Sequence, residues 1–314
     1  MTYSQVTLEE RYHIQALRRA GLSKTAIARR TGRDRSTIGR ELQRNAGWHQ
    51  LYEADRAQAK ADARRSVSRR NRRIAPRQWR DITRLLEAEW SPAQIAGRLR
   101  REGLLRICHS TIYNYVWLDR VTGGGLYRFL RHGGKRRARY GSRAASTGRI
   151  RGRSIDTRPA HIDRRRRLGH WEIDTMAGPG SAGVITLVER KTGFVVIGKV
   201  RSRTAADAAT RTLALIRAHR RQMRTITADN GAEFADHRRI ERLTGVRFYF
   251  THPYHAWERG TNENTNGLIR QYWPKGQDFT HLTQYECNAV AHRLNTRPRR
   301  RLAWRSPEEC YAKI

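Results

Sequence analysis

Three acidic residues in the C-terminal half of the chain stand where carboxylates could bind metal ions. Asp174 lies in an apolar stretch that predicts a strand, Asp229 follows another such stretch, and Glu263 lies near the start of a predicted helix. There are 54 residues between the first two and 33 between the last two. Breaking or exchanging phosphodiester bonds uses two hard cations about 3.5–4 Å apart, and Mg²⁺ prefers oxygen ligands. We therefore expect these three residues to bind divalent metal for such chemistry.

Two of the three acids also have an ordinary structural explanation. Asp229 begins an Asp-Asn-Gly sequence that is typical of turns, and the dipole of a helix favours an acid such as Glu263 in its first turn. Their joint occurrence favours the metal site. Glu172 is a rival ligand, although we expect its side chain to face away from Asp174.

The elements that must position these acids begin at about residue 168, where apolar runs alternate with helical patterns. A Lys-Thr-Gly turn at 191–193 predicts a hairpin, and the Ala- and Leu-rich segment 204–218 predicts a helix. The order of elements, β-β-β-α-β-α-β-α, indicates a mixed α/β sheet with helices on its faces. The predicted strands are 170–178, 183–200 as a pair, 225–228 and 246–250, with further helices at 232–243 and Gly260–Tyr272.

The charge of the chain identifies the class of partner. The 314 residues include 65 Lys and Arg against 28 Asp and Glu, which gives a net charge of +37. A chain this positive binds polyanions, and nucleic acid is the first expectation. No apolar run is long enough to span a membrane and no targeting segment is apparent, so we expect a cytoplasmic protein. The three cysteines are far apart and form no CxxC pair, which argues against disulfides and zinc fingers.

Residues 7–44 predict three short helices with the spacing of a helix-turn-helix. Ser23 is a predicted N-cap of the second helix, Gly32 allows the tight turn, and Asp34 or Ser36 caps the third. The third helix would enter the DNA major groove. An ordinary protein-contact module is the alternative. The predicted DNA-contacting residues are Arg33, Arg35, Ser36, Thr37 and Arg40.

We predict a multidomain protein in which α-helical units precede the α/β region. Two segments rich in Arg are predicted to be solvated linkers that contact DNA. Between them, Ser91-Pro92 starts a helix in a second, looser helix-turn-helix, for which a packing spacer is the alternative. The predicted division is 1–56 helix-turn-helix, 57–76 basic linker, 77–120 second helical domain, 121–166 basic linker, and 167–314 catalytic core with a C-terminal helical tail.

Three local motifs carry a family resemblance over nearly the whole chain. They are W-E-x-D at 171–174, D-N-G-x-E-F at 229–234 and N-E-N-x-N-G-x-I-R at 262–270. With the N-terminal helices, they resemble DDE transposases of the bacterial insertion-sequence thirty family, which share their core with retroviral-type integrases. The resemblance implies a ribonuclease-H-like core with a five-stranded mixed sheet, and Asp174, Asp229 and Glu263 as catalytic metal ligands for Mg²⁺, with Mn²⁺ as a substitute.

The resemblance also implies partners and a reaction. The partners are double-stranded DNA, as the terminal inverted repeats of the element and as target DNA, and further copies of the chain in a dimer or larger assembly near the nucleoid. The reaction is strand cleavage followed by strand transfer through a circular intermediate. Another integrase or phage-type recombinase of the same fold is the alternative enzyme, and a DNA-binding repressor that has lost activity is the non-enzymatic alternative.

Arg270 follows Glu263 by seven residues, so one helix over 260–272 would place both on the same face about 10 Å apart. In the family, a basic residue at this offset is associated with contact to donor DNA; a surface arginine is the alternative. His252 and His255 either position DNA or make structural contacts in a loop. Three asparagines could add polar contacts or cap the helix: Asn262, Asn264 and Asn266.

Overall fold

A computed structural model gives the fold of the chain. The structure describes residues 5–45, 51–70, 74–131, 152–219, 223–253 and 255–312. The chain forms two compact units, Met1–Pro76 and Arg77–Ile314. Within the described ranges, every helix is too short or too polar to cross a membrane.

The first unit is a small helical domain built on the three predicted helices. Ile14, Ile27 and Ile38, one from each of the first three helices, are fully buried together. Ser23 caps the second helix by accepting from the backbone of Ala26, and Gly32 ends it in the left-handed region at φ 62°. The prediction of three helices is confirmed, and a fourth follows them. The helices are α1 (Leu8–Arg19), α2 (Lys24–Thr31), α3 (Arg35–Asn45) and α4 (Ala54–Arg70).

The helix α4 differs from the prediction of a basic linker over 57–76. Ala54 and Ala57 are fully buried, and Ala57 belongs to the same apolar cluster as α1–α3. Arg64 donates to the side chain of Asn45 at the end of α3 over 2.5 Å. Two small alanines three residues apart therefore suffice to pack this helix against the others, although its other faces are charged. The density of charged residues in the sequence gave no sign of this packing.

The second unit begins with three helices, α5 (Pro76–Glu87), α6 (Pro92–Arg101) and α7 (His109–Val121). Ser91 and Gln94 form a capping box at the start of α6, as the Ser-Pro sequence predicts. Ile82, Ile95 and Ile112, one from each helix, are fully buried in a common cluster.

These helices are attached to the rest of the second unit through its C-terminal segment. Arg98 on α6 forms a two-point ion pair with Glu309, with both nitrogen–oxygen distances 2.7 Å. Gly97 packs against the Trp304 indole so closely that a Cβ at this position would lie 2.1 Å from the ring. Glu89 accepts from the hydroxyl of Tyr272 and forms an ion pair with Arg297 at 3.0 Å.

A five-stranded mixed sheet forms the centre of the second unit, as predicted. Its order is β3-β2-β1-β4-β5, with β1 antiparallel to β2 and parallel to β4. The pair β2–β3 is antiparallel and the pair β4–β5 is parallel. The strands are β1 (His170–Ala177), β2 (Gly183–Glu189), β3 (Val195–Val200), β4 (Thr225–Ala228) and β5 (Arg247–Phe250).

Two apolar clusters lie on the two faces of this sheet. Trp171 and Ile173 of β1 point into the cluster that contains apolar residues of α8 and α9. Val184 and Val188 of β2 belong to the other cluster, with Ile269 of α10 and apolar residues of α11. The helices are α8 (Ala205–Ala218), α9 (His237–Thr244), α10 (Gly260–Ile269), α11 (Gln284–Thr296) and α12 (Pro307–Tyr311).

The predicted linker over 121–166 is only partly described. Residues 132–151 lie outside the described ranges. On its C-terminal side, Ser154 bridges to Phe250 of β5, and Arg158 is buried where it donates to Thr227 of β4 over 2.9 Å. Ser154 and Arg158 therefore attach this segment to the sheet, since arginine can be buried where a hydroxyl and the Asp163 carboxylate accept from it.

Candidate active site

Asp174 and Asp229 lie side by side, just beyond the point where the parallel pairing of β1 with β4 ends. Glu172 of β1 pairs with Thr227 of β4, so each aspartate lies two residues beyond a paired position. Carboxyl ends of parallel strands meet at one edge of a sheet, which is where open α/β sheets bind ligands. The predictions that Asp174 lies on the first strand and that Asp229 directly follows the fourth are confirmed.

The guanidinium of Arg259 joins the two aspartates. Its Nη1 lies 3.1 Å from Asp174 Oδ1, and its Nη2 lies 2.8 Å from Asp229 Oδ2. Nη1 also donates to the backbone carbonyl of Ile173 over 3.1 Å. The arginine side chain is only 12 % exposed, against 26 % for Asp174 and 35 % for Asp229. Two carboxylates thus converge on one cation inside a shallow, half-buried site.

Burial raises the pKa of Asp174 above its ordinary value, the neighbouring Asp229 raises that pKa further, and Arg259 opposes both effects. The cause is the ordinary one for two converging carboxylates, which repel each other and lose solvation unless a cation lies between them. Arg259 supplies that cation here. The sequence motifs gave no signal for this role, because Arg259 precedes the third motif and its contact to Asp229 spans 30 residues.

The helix α10 is fixed to the sheet by two asparagines one turn apart. Asn266 donates to Asp174 Oδ2 over 2.8 Å. Asn262 is fully buried and donates to the backbone carbonyls of Glu172 and Thr186 at 3.1 and 3.2 Å. The Thr186 hydroxyl lies 2.9 Å from both asparagine amide oxygens. These residues set the position of α10 against β1 and β2, which is more than the capping role that the sequence allowed.

Glu263 lies on α10, three residues before Asn266 and therefore on the same flank of the helix. Its side chain is exposed. Among the described residues no hydrogen bond or ion pair joins Glu263 to either aspartate. The structure therefore brings Asp174 and Asp229 together and places Glu263 on the adjoining helix, where a long exposed side chain has rotamer freedom.

Glu172 corrects one prediction. Because β1 pairs regularly with β2, Glu172 and Asp174 lie on the same face of the sheet, not on opposite faces. Glu172 is fully buried, forms an ion pair with Arg190 at 3.1 Å, and accepts from the backbone nitrogen of Asn262 over 2.9 Å. Its carboxylate is thus occupied at the start of α10, and Glu172 supports the helix that bears Glu263.

The donor set at the two aspartates suits a divalent metal ion. Carboxylate oxygens are hard ligands, and Asp174 and Asp229 already direct one oxygen each at a shared cation. Both side chains are partly exposed, so an ion and its waters can reach them. A metal ion there would share the aspartates with Arg259 or displace it.

In the first unit, the predicted DNA-contacting residues fall into two groups. Arg35, Ser36 and Arg40 are exposed on α3, and Thr37 is half-buried beside them. Arg33 differs, because it forms an ion pair with Glu10 of α1 at 2.7 Å and its side chain is only 19 % exposed. A pocket beside α3 is lined by basic residues of both α3 and α4, among them Arg40, Arg44, Arg64 and Arg65.

Arg270 does not continue the helix as predicted, since α10 ends at Ile269 and Arg270 is its C-cap. Its Nη1 lies 3.4 and 3.3 Å from the carbonyl oxygens of Trp273 and Pro274. The helix that the sequence indicated through Tyr272 therefore ends three residues early. Seven residues still separate Arg270 from Glu263 along this flank.

Comparisons with known proteins agree with this architecture. A family model described as a helix-turn-helix domain matches residues 2–45, and one described as an integrase core domain matches residues 164–256. The second match contains Asp174 and Asp229 and ends before Glu263.

Whole-length relatives are transposases. The chain is 42 % identical over 312 residues to the transposase for insertion sequence element IS4351 of Bacteroides fragilis, covering 98 % of this chain and 96 % of that protein. It is 38 % identical to the IS1086 transposase of Cupriavidus metallidurans, covering 99 % and 95 %. It is also 38 % identical to the transposase InsI of IS30A from Escherichia coli, covering 98 % and 83 %. The chain belongs to the IS30 family of insertion-sequence transposases, DNA-binding enzymes whose integrase core is of a kind that typically uses divalent metal ions.

Proposed function

We propose that this transposase cleaves and joins DNA strands at the site formed by Asp174, Asp229 and Glu263. The observation that carries the proposal is the convergence of the two aspartates on one cation, just beyond the parallel pairing of β1 with β4. Mg²⁺ is the proposed ion, with Mn²⁺ as a substitute, because the three side chains offer only carboxylate oxygens. When bound, the metal would polarise the attacking oxygen and stabilise the leaving oxygen of a phosphodiester.

The residues of the chain prepare this site. Asn266 holds one oxygen of Asp174 and leaves the other directed at the cation. Asn262 and Glu172 fix the start of α10, so that the backbone of Glu263 is held while its side chain can turn toward the aspartates. The reaction class is hydrolysis at the element end, followed by attack of the freed 3′-hydroxyl on a second phosphodiester, without a covalent intermediate on the protein.

We assign DNA recognition to the first unit, acting on the terminal inverted repeats. The exposed Arg35, Ser36 and Arg40 of α3, with Thr37, would contact base edges, while the arginines of α4 would contact phosphates. Arg33 has a different assignment, in which its ion pair to Glu10 holds the start of α3 against α1. Arg270 is assigned to phosphate near the cleaved end. Bringing two element ends together in one complex implies more than one copy of the chain, so a dimer or larger assembly acting on chromosomal DNA in the cytoplasm is proposed.

The test is strand cleavage and joining on oligonucleotides that carry the element end. Asp174→Asn, Asp229→Asn and Glu263→Gln should each abolish cleavage in Mg²⁺ and in Mn²⁺ while end binding persists. Glu308→Gln, which neutralises a half-exposed acid on α12, is the matched control and should cleave normally. Cleavage that survives one substitution removes that residue from the site, and cleavage that survives all three refutes the mechanism.

A further inference from the structure

A second cluster of ligand-type side chains lies between β5 and α10, apart from the three carboxylates. His252, His255 and Glu258 bring two imidazoles and a carboxylate together, with their ligand atoms within 4.8 Å of one another. Among the described residues this is the only group of three or more His, Cys, Asp or Glu side chains that is so close.

The backbone explains why these residues share one face. The amide of His255 donates to the carbonyl of His252 over 3.2 Å, and the amide of Glu258 donates to the carbonyl of His255 over 3.1 Å. Such i to i+3 bonds give 3-10 turns, in which side chains three residues apart lie above one another. The spacing H-x-x-H-x-x-E therefore stacks all three ligands on one side.

One distance in the cluster matches a small transition-metal site, and the other is a hydrogen-bond distance that a bound ion would lengthen. Glu258 Oε1 lies 2.8 Å from His252 Nδ1 and 3.5 Å from His255 Nδ1. Ligands about 2.0–2.2 Å from a tetrahedral ion are separated by roughly 3.3–3.5 Å. His255 Nδ1 is buried and makes no hydrogen bond, so it has a lone pair or a proton that the protein alone does not use.

A fourth residue supplies the outer contact that metal-binding histidines usually have. Asp156 Oδ2 lies 2.9 Å from His252 Nε2, on the side of the ring away from Glu258. A carboxylate there keeps the proton on Nε2 and turns Nδ1 toward the ion, as in carboxylate–histidine–metal triads. Asp156 belongs to the segment that bridges to β5 through Ser154, so the cluster connects two separate parts of the chain.

We propose that His252, His255 and Glu258 bind one Zn²⁺ ion, with Asp156 orienting His252. Two imidazole nitrogens and one carboxylate oxygen suit zinc, whereas Mg²⁺ prefers oxygen ligands alone. The site is thus chemically distinct from the aspartate pair. A bound ion would also restrain the backbone next to the aspartates. Glu258 directly precedes Arg259, so an ion on Glu258 would fix the segment that places the guanidinium between Asp174 and Asp229.

The test uses the untagged full-length protein and Co²⁺ as a spectroscopic probe for zinc. One equivalent of Co²⁺ should give the visible absorption of a four-coordinate nitrogen–oxygen site, and Zn²⁺ should displace it. His255→Ala, Glu258→Gln and Asp156→Asn should each weaken binding, the last by the 10–100-fold typical of outer-shell partners. His281→Ala, at an exposed histidine of the same unit, is the matched control and should bind as the native protein does.

Asp174→Asn separates this site from the catalytic one and should leave the Co²⁺ spectrum unchanged. Because His252 and His255 are half-exposed, circular dichroism should show that the variants fold. Absence of stoichiometric binding, or equal binding by His255→Ala and His281→Ala, would overturn the proposal. Binding that survives His255→Ala and disappears in Asp174→Asn would place the ion at the aspartates and would also overturn it.

Discussion

Arg259 occupies the place between the aspartates where a metal ion is expected to act, and this makes a direct prediction. Replacing it by glutamine keeps a hydrogen-bonding side chain and removes the charge. Arg259→Gln should destabilise the metal-free protein and should increase the stabilisation that Mg²⁺ provides. The physical reason is that Asp174 and Asp229 would face each other without a cation until the metal binds.

The size of the effect follows from the burial of the three groups. Removing one partner of a buried ion pair costs about 3–5 kcal/mol. The arginine is 12 % exposed but the aspartates are 26 % and 35 % exposed, so water screens part of the repulsion and the lower end, about 3 kcal/mol, is expected. For a unit of this size, 1 kcal/mol corresponds to roughly 2–4 °C in Tm. The metal-free variant should therefore unfold roughly 6–12 °C below the native protein.

Thermal unfolding with and without saturating Mg²⁺ measures both effects. An ion that binds only the folded state at about 100 times its Kd stabilises it by about 2.7 kcal/mol. In the native protein part of this stabilisation is lost, because the metal ion must compete with Arg259 for the aspartates. In Arg259→Gln no guanidinium competes with the ion. Arg217→Gln, at an exposed arginine on α8, removes the same charge elsewhere and should change neither quantity. An equal Mg²⁺ shift in native protein and Arg259→Gln would refute the idea that arginine and metal share the aspartates.

Three further predictions concern positioning, attachment and recognition. Asn262→Leu leaves buried carbonyls without donors and should cost about 2–4 kcal/mol of stability. It should also lower the rate of cleavage more than it weakens binding of the element end. An unchanged cleavage rate would contradict the positioning role of Asn262. Hydrogen bonding from Arg98 lowers the pKa of Glu309 to about 2, so this pair stabilises the fold above the ordinary carboxyl pKa and loses its effect as the pH falls toward 2. Glu309→Gln should accordingly lower Tm at neutral pH by the equivalent of about 1 kcal/mol, because the pair is partly exposed, and the difference from the native protein should vanish near pH 2. Arg35→Ala should relax sequence preference in a binding selection by about 1–3 kcal/mol per lost base contact, whereas Arg56→Ala on the exposed side of α4 should leave the preference intact.

The strands and the aspartate pair could be predicted from the sequence because their signals are local. One apolar run contains Asp174 and another ends just before Asp229, and the parallel pairing of the two strands then brings the acids together. The orientation of Glu172 was predicted wrongly because it depends on how regularly β1 pairs with β2, which β1 alone does not reveal. The same limit applies to Arg259, whose two aspartate partners lie far from it along the sequence.

The helix α4 and the end of α10 show a second limit of sequence-based prediction. In both cases charge or periodicity was given too much weight. A segment rich in arginine was predicted to be a linker, yet Ala54 and Ala57 provide enough apolar contact to dock it. Conversely, the helical pattern predicted a helix through Tyr272, whereas α10 ends at Ile269. Packing against neighbouring elements decides both cases, since most helical stability in proteins comes from burial of one face.

Charge gives a reason for an arginine between the two aspartates of the proposed metal site. In the proposed mechanism DNA phosphates approach the aspartates closely, and an uncompensated pair of carboxylates would repel them. With Arg259 in place the three side chains carry one net negative charge, and a divalent ion on the same carboxylates reverses that sign. The chain of net charge +37 therefore attracts DNA everywhere, while the local sign at the reacting bond depends on the metal. In the proposed mechanism, approach of the phosphodiester and metal binding are thus coupled by charge, and until the metal binds Arg259 offsets the repulsion between the two carboxylates.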